Sequence, residues 1–153
     1  MSWIDTERGL VAVLNGINER RIRQAGSDDT EDGSVDRVVE QLFHASEKLV
    51  IYGSLAPGAP NYAVISDLGG SWLDGYVRGT LHTEGWGAEI GYPAMKWDPA
   101  GERIPVRLLV SPRLPSVWGE LDSFEGVEYC RILVPVFNDA EPVAVANIYA
   151  ARA

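Results

Sequence analysis

The sequence predicts an α+β fold built on a curved, mixed or antiparallel sheet. Three observations carry that prediction. From Leu49 onward the chain is a series of short strand-like runs separated by glycine- and proline-containing turns. Those runs do not alternate regularly with helices, which disfavours a doubly wound sheet. Stretches with helical spacing are few, two upstream of Leu49 and one at Pro115 to Phe124, in a chain of 153 residues, the length of one domain able to bury a core without disulfides or metals.

Taken in order, the stretch from Trp3 to Ile22 places Trp3, Leu10, Val13, Leu14 and Ile17 at spacings near three and four, which predicts an amphipathic helix. Its basic end, Arg20, Arg21 and Arg23, suits the negative pole of the helix dipole. Gly9 and Gly16 act against it, each costing about 1 kcal/mol relative to alanine in a helix interior. Ala25 to Gly33 is polar and acidic, buries no apolar surface and reads as a linker; a calcium loop would need a regular alternation of oxygen ligands. Ser34 is placed to cap a second helix, with Asp36 in its first turn and Val35, Val38, Val39, Leu42 and Phe43 in one apolar stripe. That stripe must pack on the main domain or on a second subunit, the latter making the arm the interface of a homodimer. Residues 1–48 are therefore read as an N-terminal helical arm with an acidic linker, and 49–153 as the main domain.

Leu49, Val50 and Ile51 form a strand too short to be a helix, and it runs into Tyr52-Gly53-Ser54-Leu55-Ala56-Pro57-Gly58. A glycine directly after a buried strand lets backbone N–H groups approach an anion or a developing oxyanion; an ordinary strand-ending turn has the same composition. Tyr62 to Leu68 suggests a short helical piece. Strands are predicted over Tyr76 to His82, around Tyr92 to Trp97 and over Arg103 to Val110, with Asp98-Pro99-Ala100-Gly101 read as a hairpin turn. Pro115 to Phe124 carries Val117, Trp118, Leu121 and Phe124 at the spacing of a short helix that stops at Gly126. Two strands close the chain, Val127 to Phe137 and Val143 to Ala150.

Composition excludes several classes of function. A formal charge of −9 repels phosphate backbones and anionic lipid surfaces, so neither nucleic acid nor membrane is expected as a partner. No apolar run approaches the roughly 20 residues that span a bilayer, and the first 21 residues lack the layout of a secretion signal, so the expected location is the cytoplasm. Cys130 is the only cysteine and sits in a strand-like alternation where an inert buried thiol is the usual outcome. With two histidines and no Cys/His cluster, a structural zinc site is not expected.

The second informative stretch is Leu121-Asp122-Ser123-Phe124-Glu125-Gly126-Val127-Glu128-Tyr129-Cys130-Arg131, which leaves a helix and enters a strand with three carboxylates in seven residues. Asp122 and Glu128 most simply face water or pair with nearby arginines. Glu125 ends an apolar face beside Phe124, where partial desolvation would raise its pKa and make it a better proton acceptor; a solvated residue at a helix end occupies the same position.

Together these stretches bring the region from about Leu49 to Ala150 into resemblance with the gamma-glutamylcyclotransferase-like (AIG2-like) family. The residues that carry it are Tyr52-Gly53-Ser54-Leu55, Pro57-Gly58, Asn61, Gly79-Thr80-Leu81, Gly91-Tyr92-Pro93-Ala94, Leu121-Asp122-Ser123-Phe124-Glu125-Gly126, Glu128-Tyr129-x-Arg131 and Tyr149. The resemblance implies a compact, mixed, β-barrel-like sheet flanked by short helices. It implies that Tyr52, Gly53, Ser54 and Leu55 hold the substrate, that Glu125 is the general acid/base, and that Tyr149 lines the same pocket. The implied substrate is a small gamma-glutamyl amine or amide, cyclised to 5-oxoproline with release of the amine, and the implied chemistry requires neither a metal nor an organic cofactor.

The strand Ile104 to Val110 lacks the valine–glycine–glutamate-like pattern of the family, and Arg107 within it would narrow or recharge the pocket. A non-catalytic module that binds a small molecule on the same fold is therefore the alternative, and an interaction protein recruiting a partner through its arm a third reading.

Overall fold

The computed structural model describes residues 7–23, 34–52, 65–82, 94–125, 129–139 and 141–151. Within them run the helices α1 (Glu7–Arg23), α2 (Ser34–Phe43) and α3 (Trp118–Glu125) and the strands β1 (Lys48–Ile51), β2 (Ser71–His82), β3 (Ala94–Trp97), β4 (Glu102–Val110), β5 (Tyr129–Asn138) and β6 (Glu141–Ala151). The order across the sheet is β3-β2-β4-β1-β6-β5, and β5 returns to β2 through Tyr76 opposite Phe137. Five strands thus close into a barrel, with β3 as an added strand. The sheet is mixed because β1 runs parallel to β6, Leu49 opposite Asn147, while the other pairings are antiparallel.

Two-residue alternation explains the closure. Val50 of β1, Cys130, Ile132, Val134 and Val136 of β5, and Ala144, Ala146, Ile148 and Ala150 of β6 point inward and fill the barrel together with Val77, Met95, Ile104, Val106 and Leu108. A five-stranded barrel has little internal volume, and three inward alanines on β6 leave room for the larger groups opposite. The alternate residues pack outside. Leu49, Ile51, Leu109 and Tyr149 meet Leu114, Trp118 and Leu121 of the α3 region. Leu133 and Val145 meet Leu10, Leu14 and Ile17 of α1 and Val39 of α2. Leu10, Leu14, Ile17 and Val39 of the arm therefore cover one side of the barrel, whereas Val38 and Leu42 of the stripe expected to pack are exposed, because α2 turns only its Val39 edge to the barrel.

α1 is also held by a polar contact. Asn18, 4% exposed, donates through Nδ2 to the Leu133 carbonyl and accepts the Leu133 N–H, both at 2.8 Å. The side-chain amide thereby takes the place of a neighbouring strand residue and covers an edge of β5. Pro135, two residues on and turned the same way, has no N–H to leave unpaired there.

Several boundaries move relative to the sequence reading. β2 starts at Ser71, not Tyr76, because it continues through Gly75, where a Cβ would lie 2.8 Å from the Phe137 carbonyl oxygen. Only Ser66–Leu68, a 3-10 turn, is described of the helical piece expected after Tyr62. The turn at 98–101 is tight, with the Gly101 N–H on the Asp98 carbonyl at 2.8 Å, but it is not a hairpin. β3 and β4 both run antiparallel to β2, and Gly79 stands opposite both Trp97 and Glu102. The turn hands the chain from one stretch of β2 to the next instead of reversing it. Gly79 permits this because a Cβ there would sit 2.3 Å from the Lys96 carbonyl oxygen. The expected helix start near Trp3 and the linker at 25–33 lie outside the described residues. No helix among the described residues is long and apolar enough to cross a membrane.

Candidate functional site

Tyr52 follows β1 directly, and its ring packs against the barrel interior. Its hydroxyl donates to the Tyr149 carbonyl at 2.6 Å and accepts the Met95 N–H at 3.2 Å. One phenol therefore ties the end of β1 to β6 and β3. Gly53, Ser54 and Leu55, expected to supply backbone donors, lie outside the described residues.

The second half of the motif set is carried by α3. A 3-10 turn containing Pro115 leads into it, and Trp118 and Leu121 bury its inner face. Asp122, on the next position round, accepts the Tyr149 hydroxyl at 2.6 Å. The Arg131 guanidinium grips the same carboxylate with two bonds, Nε to Oδ1 at 2.9 Å and Nη2 to Oδ2 at 3.3 Å. It lies at the same time over the Trp118 ring, 4.4 Å from the centroid. With 46% of the Asp122 side chain exposed, the charge pair is screened and contributes little as a pair. Its fork geometry and the stacked ring define where α3 sits on the strands. Glu125 is the last residue of α3, one turn beyond Asp122; its side chain lies outside the described residues.

Beneath this layer is a buried polar seam that the sequence reading missed. Asn147, 1% exposed, donates to the Ala45 carbonyl at 2.8 Å and accepts from Arg21 Nη1 at 2.9 Å and Arg131 Nη1 at 3.4 Å. Arg21 Nη1 also reaches the Arg131 carbonyl at 3.3 Å. Burial, and after it the nearby Arg131 charge, lowers the Arg21 pKa from its ordinary value. The three arginines at the end of α1 thus have separate roles. Arg20 pairs with Asp36 of α2, Arg23 returns to its own helix through the Glu19 carbonyl, and Arg21 turns into the protein. The available signal was Asn147 itself, a lone amide in the otherwise apolar run Val143 to Ala150, because a buried amide needs partners.

Arg107 stands on the outer face of β4, opposite Asp74 at 3.2 Å and over the Trp72 ring at 5.5 Å. Its neighbours Val106 and Leu108 are the residues that enter the barrel, so Arg107 does not narrow or recharge the interior. Cys130 is buried among the interior residues. Among the described residues no group of three or more His, Cys, Asp or Glu side chains converges as a metal site.

Comparison with known proteins adds the family context. The family model for gamma-glutamyl cyclotransferase, AIG2-like, matches residues 49–153. Among solved structures, the chain is similar to an AIG2-like protein from Mus musculus, with a TM-score of 0.50 and 20% identity over 69% of this chain and 76% of that one. It is also similar to an uncharacterized protein from Pyrococcus horikoshii, with a TM-score of 0.50 and 16% identity over 69% of this chain and 78% of that one. At these identities the likeness concerns the fold. No curated protein sequence matches the chain.

Proposed function

The chain belongs to the gamma-glutamyl cyclotransferase, AIG2-like family, and from that membership we propose that it is a cyclotransferase-type enzyme converting a gamma-glutamyl amine or amide to 5-oxoproline. The α-amino nitrogen of the substrate attacks its own side-chain amide carbonyl, a new C–N bond closes the five-membered ring, and the C–N bond to the departing amine breaks. Free α-amino groups titrate near roughly 8, so a base must take a proton before attack at neutral pH. Glu125 is assigned that role, and it returns the proton to the leaving nitrogen. The backbone of Gly53 to Leu55 is assigned the oxyanion, with Tyr52 and Tyr149 lining the site. Because nucleophile and carbonyl belong to one molecule, the enzyme has to hold a folded conformer and stabilise charge, which suits backbone donors and one carboxylate without a cofactor.

The observation that carries this reading is the convergence of both motif halves on Tyr149. Its carbonyl holds Tyr52, the residue before Gly53, and its hydroxyl holds Asp122, three residues before Glu125 on the same helix. Retention of both motifs in the sequence supports turnover over simple binding. Incubating the protein with a panel of gamma-glutamyl amines and dipeptides and following 5-oxoproline tests it. Release from at least one member is expected; tight binding of members without any release would turn the assignment to a binding module.

A further inference from the structure

We propose that Arg21, on the N-terminal helix outside the matched family region, is a positioning residue for the site: through Asn147 and Arg131 it sets the helix that ends at Glu125. The inference rests on the cyclotransferase reading for its activity test and on geometry alone for its structural one.

The chain of contacts is continuous. Arg21 Nη1 donates to Asn147 Oδ1 at 2.9 Å and to the Arg131 carbonyl at 3.3 Å. The same Asn147 oxygen accepts from Arg131 Nη1 at 3.4 Å, and the rest of the Arg131 fork holds Asp122 on α3. Arg131 is therefore held from behind by α1 and β6 while it presents its Nε edge to α3. A second tie runs beside the first: the Trp118 indole N–H donates to the Ser46 carbonyl at 2.8 Å, and Ala45, next to Ser46, accepts from Asn147 Nδ2. Asn18 and Arg21 lie three apart, on one face of α1, and bind the backbone of Leu133 and Arg131, two apart on β5. The arm thus grips β5 at the residue whose side chain positions α3.

Energetics separate this role from plain structural support. Two guanidinium groups share one amide oxygen in a buried site, and burial and the Arg131 charge act against the Arg21 cation more strongly than the nearby Asp36 and Asp122 carboxylates favour it. Burying such a cation is costly, so replacing it with a side chain of similar volume need not lower stability. Its value lies in direction: without Arg21, Asn147 and Arg131 lose the donor that fixes their orientation. Displacement of a catalytic group by about 1 Å costs on the order of 100-fold in rate.

The test compares wild type with Arg21→Met, Arg21→Lys and Arg21→Ala in the full-length protein. With a panel member that wild type turns over, Arg21→Met is expected to lose roughly 10- to 100-fold in kcat with KM nearly unchanged and the thermal midpoint held. Arg21→Lys should recover part of the loss, and millimolar guanidinium chloride should restore part of the Arg21→Ala activity. Wild-type kcat in Arg21→Met, or a loss that follows the melting temperature and is not rescued, overturns the proposal. Hydrogen exchange of residues 118–125 is measured in parallel and does not depend on turnover. If wild type releases no 5-oxoproline, the functional reading fails on its own, and faster exchange confined to 118–125 and its contacts in Arg21→Met still supports the positioning role. Unchanged exchange there overturns it.

Discussion

The Tyr149 hydroxyl lies 2.6 Å from the Asp122 carboxylate, and through that bond strand β6 holds helix α3. The carbonyl of the same tyrosine accepts from Tyr52, so one residue links the two motif-bearing segments, 97 positions from one and 27 from the other. Tyr149→Phe removes the first tie and leaves the second, which uses backbone. We expect a stability loss of about 1–2 kcal/mol in urea denaturation, since a hydrogen bond to a charged group is lost at a partly exposed site. Asp122→Asn should be non-additive with it by about 1 kcal/mol in a double-mutant cycle. Simple additivity would mean that the two side chains do not act together in solution.

Glu125→Gln separates chemistry from packing. The amide keeps the volume and much of the hydrogen-bonding reach of the carboxylate but cannot cycle a proton at neutral pH. Turnover should fall roughly 100- to 10,000-fold with the melting temperature unchanged. Equal rates for the two proteins on the same substrate would remove Glu125 from the mechanism.

Asn18→Ala should be among the more damaging substitutions in the arm, although the side chain is small. It strands the N–H and the carbonyl of Leu133 in a buried place, and two such losses cost about 2–4 kcal/mol together. Asn15→Ala, on the exposed side of the same helix, is the control and should stay within about 0.5 kcal/mol of wild type. Similar midpoints for the two variants would contradict the edge-covering role.

Removal of the arm before Leu49 exposes Leu133 and Val145 and takes away the partners that Asn147 finds in Ala45 and Arg21. A newly exposed apolar patch of this kind promotes self-association. The truncated protein should elute as aggregate or require detergent in size-exclusion chromatography. A monomeric product as stable as the full chain would show that the barrel needs no arm.

Much of the fold was legible because its signals are local. The spacing of Leu10, Leu14 and Ile17 required a helix with one apolar face, and those three residues are the ones buried against β5 and β6. Pro115 before Trp118 marked the entry to α3, and the apolar runs at Leu49 to Ile51 and Ile104 to Val110 marked strands. Asp122 was read as facing water or pairing with an arginine, and it pairs with Arg131. The turn at 98–101 was read as a hairpin, incorrectly, since turn chemistry specifies a bend and not which strand receives the chain.

The sequence by itself determined the α+β class, the extent of the family region and the residue types at the two motifs, because propensity, periodicity and motif spacing act within a few residues of chain. Tertiary structure alone decided which polar side chains meet. Arg21 and Asn147 are 126 positions apart, and Asn18 and Leu133 are 115 apart. No local preference distinguishes Arg21 from Arg20 or Arg23, each a basic residue in the last turn of one helix. Their roles diverge only when barrel closure brings β5 and β6 against one face of α1, and an arginine caught on that face must find acceptors where water is excluded.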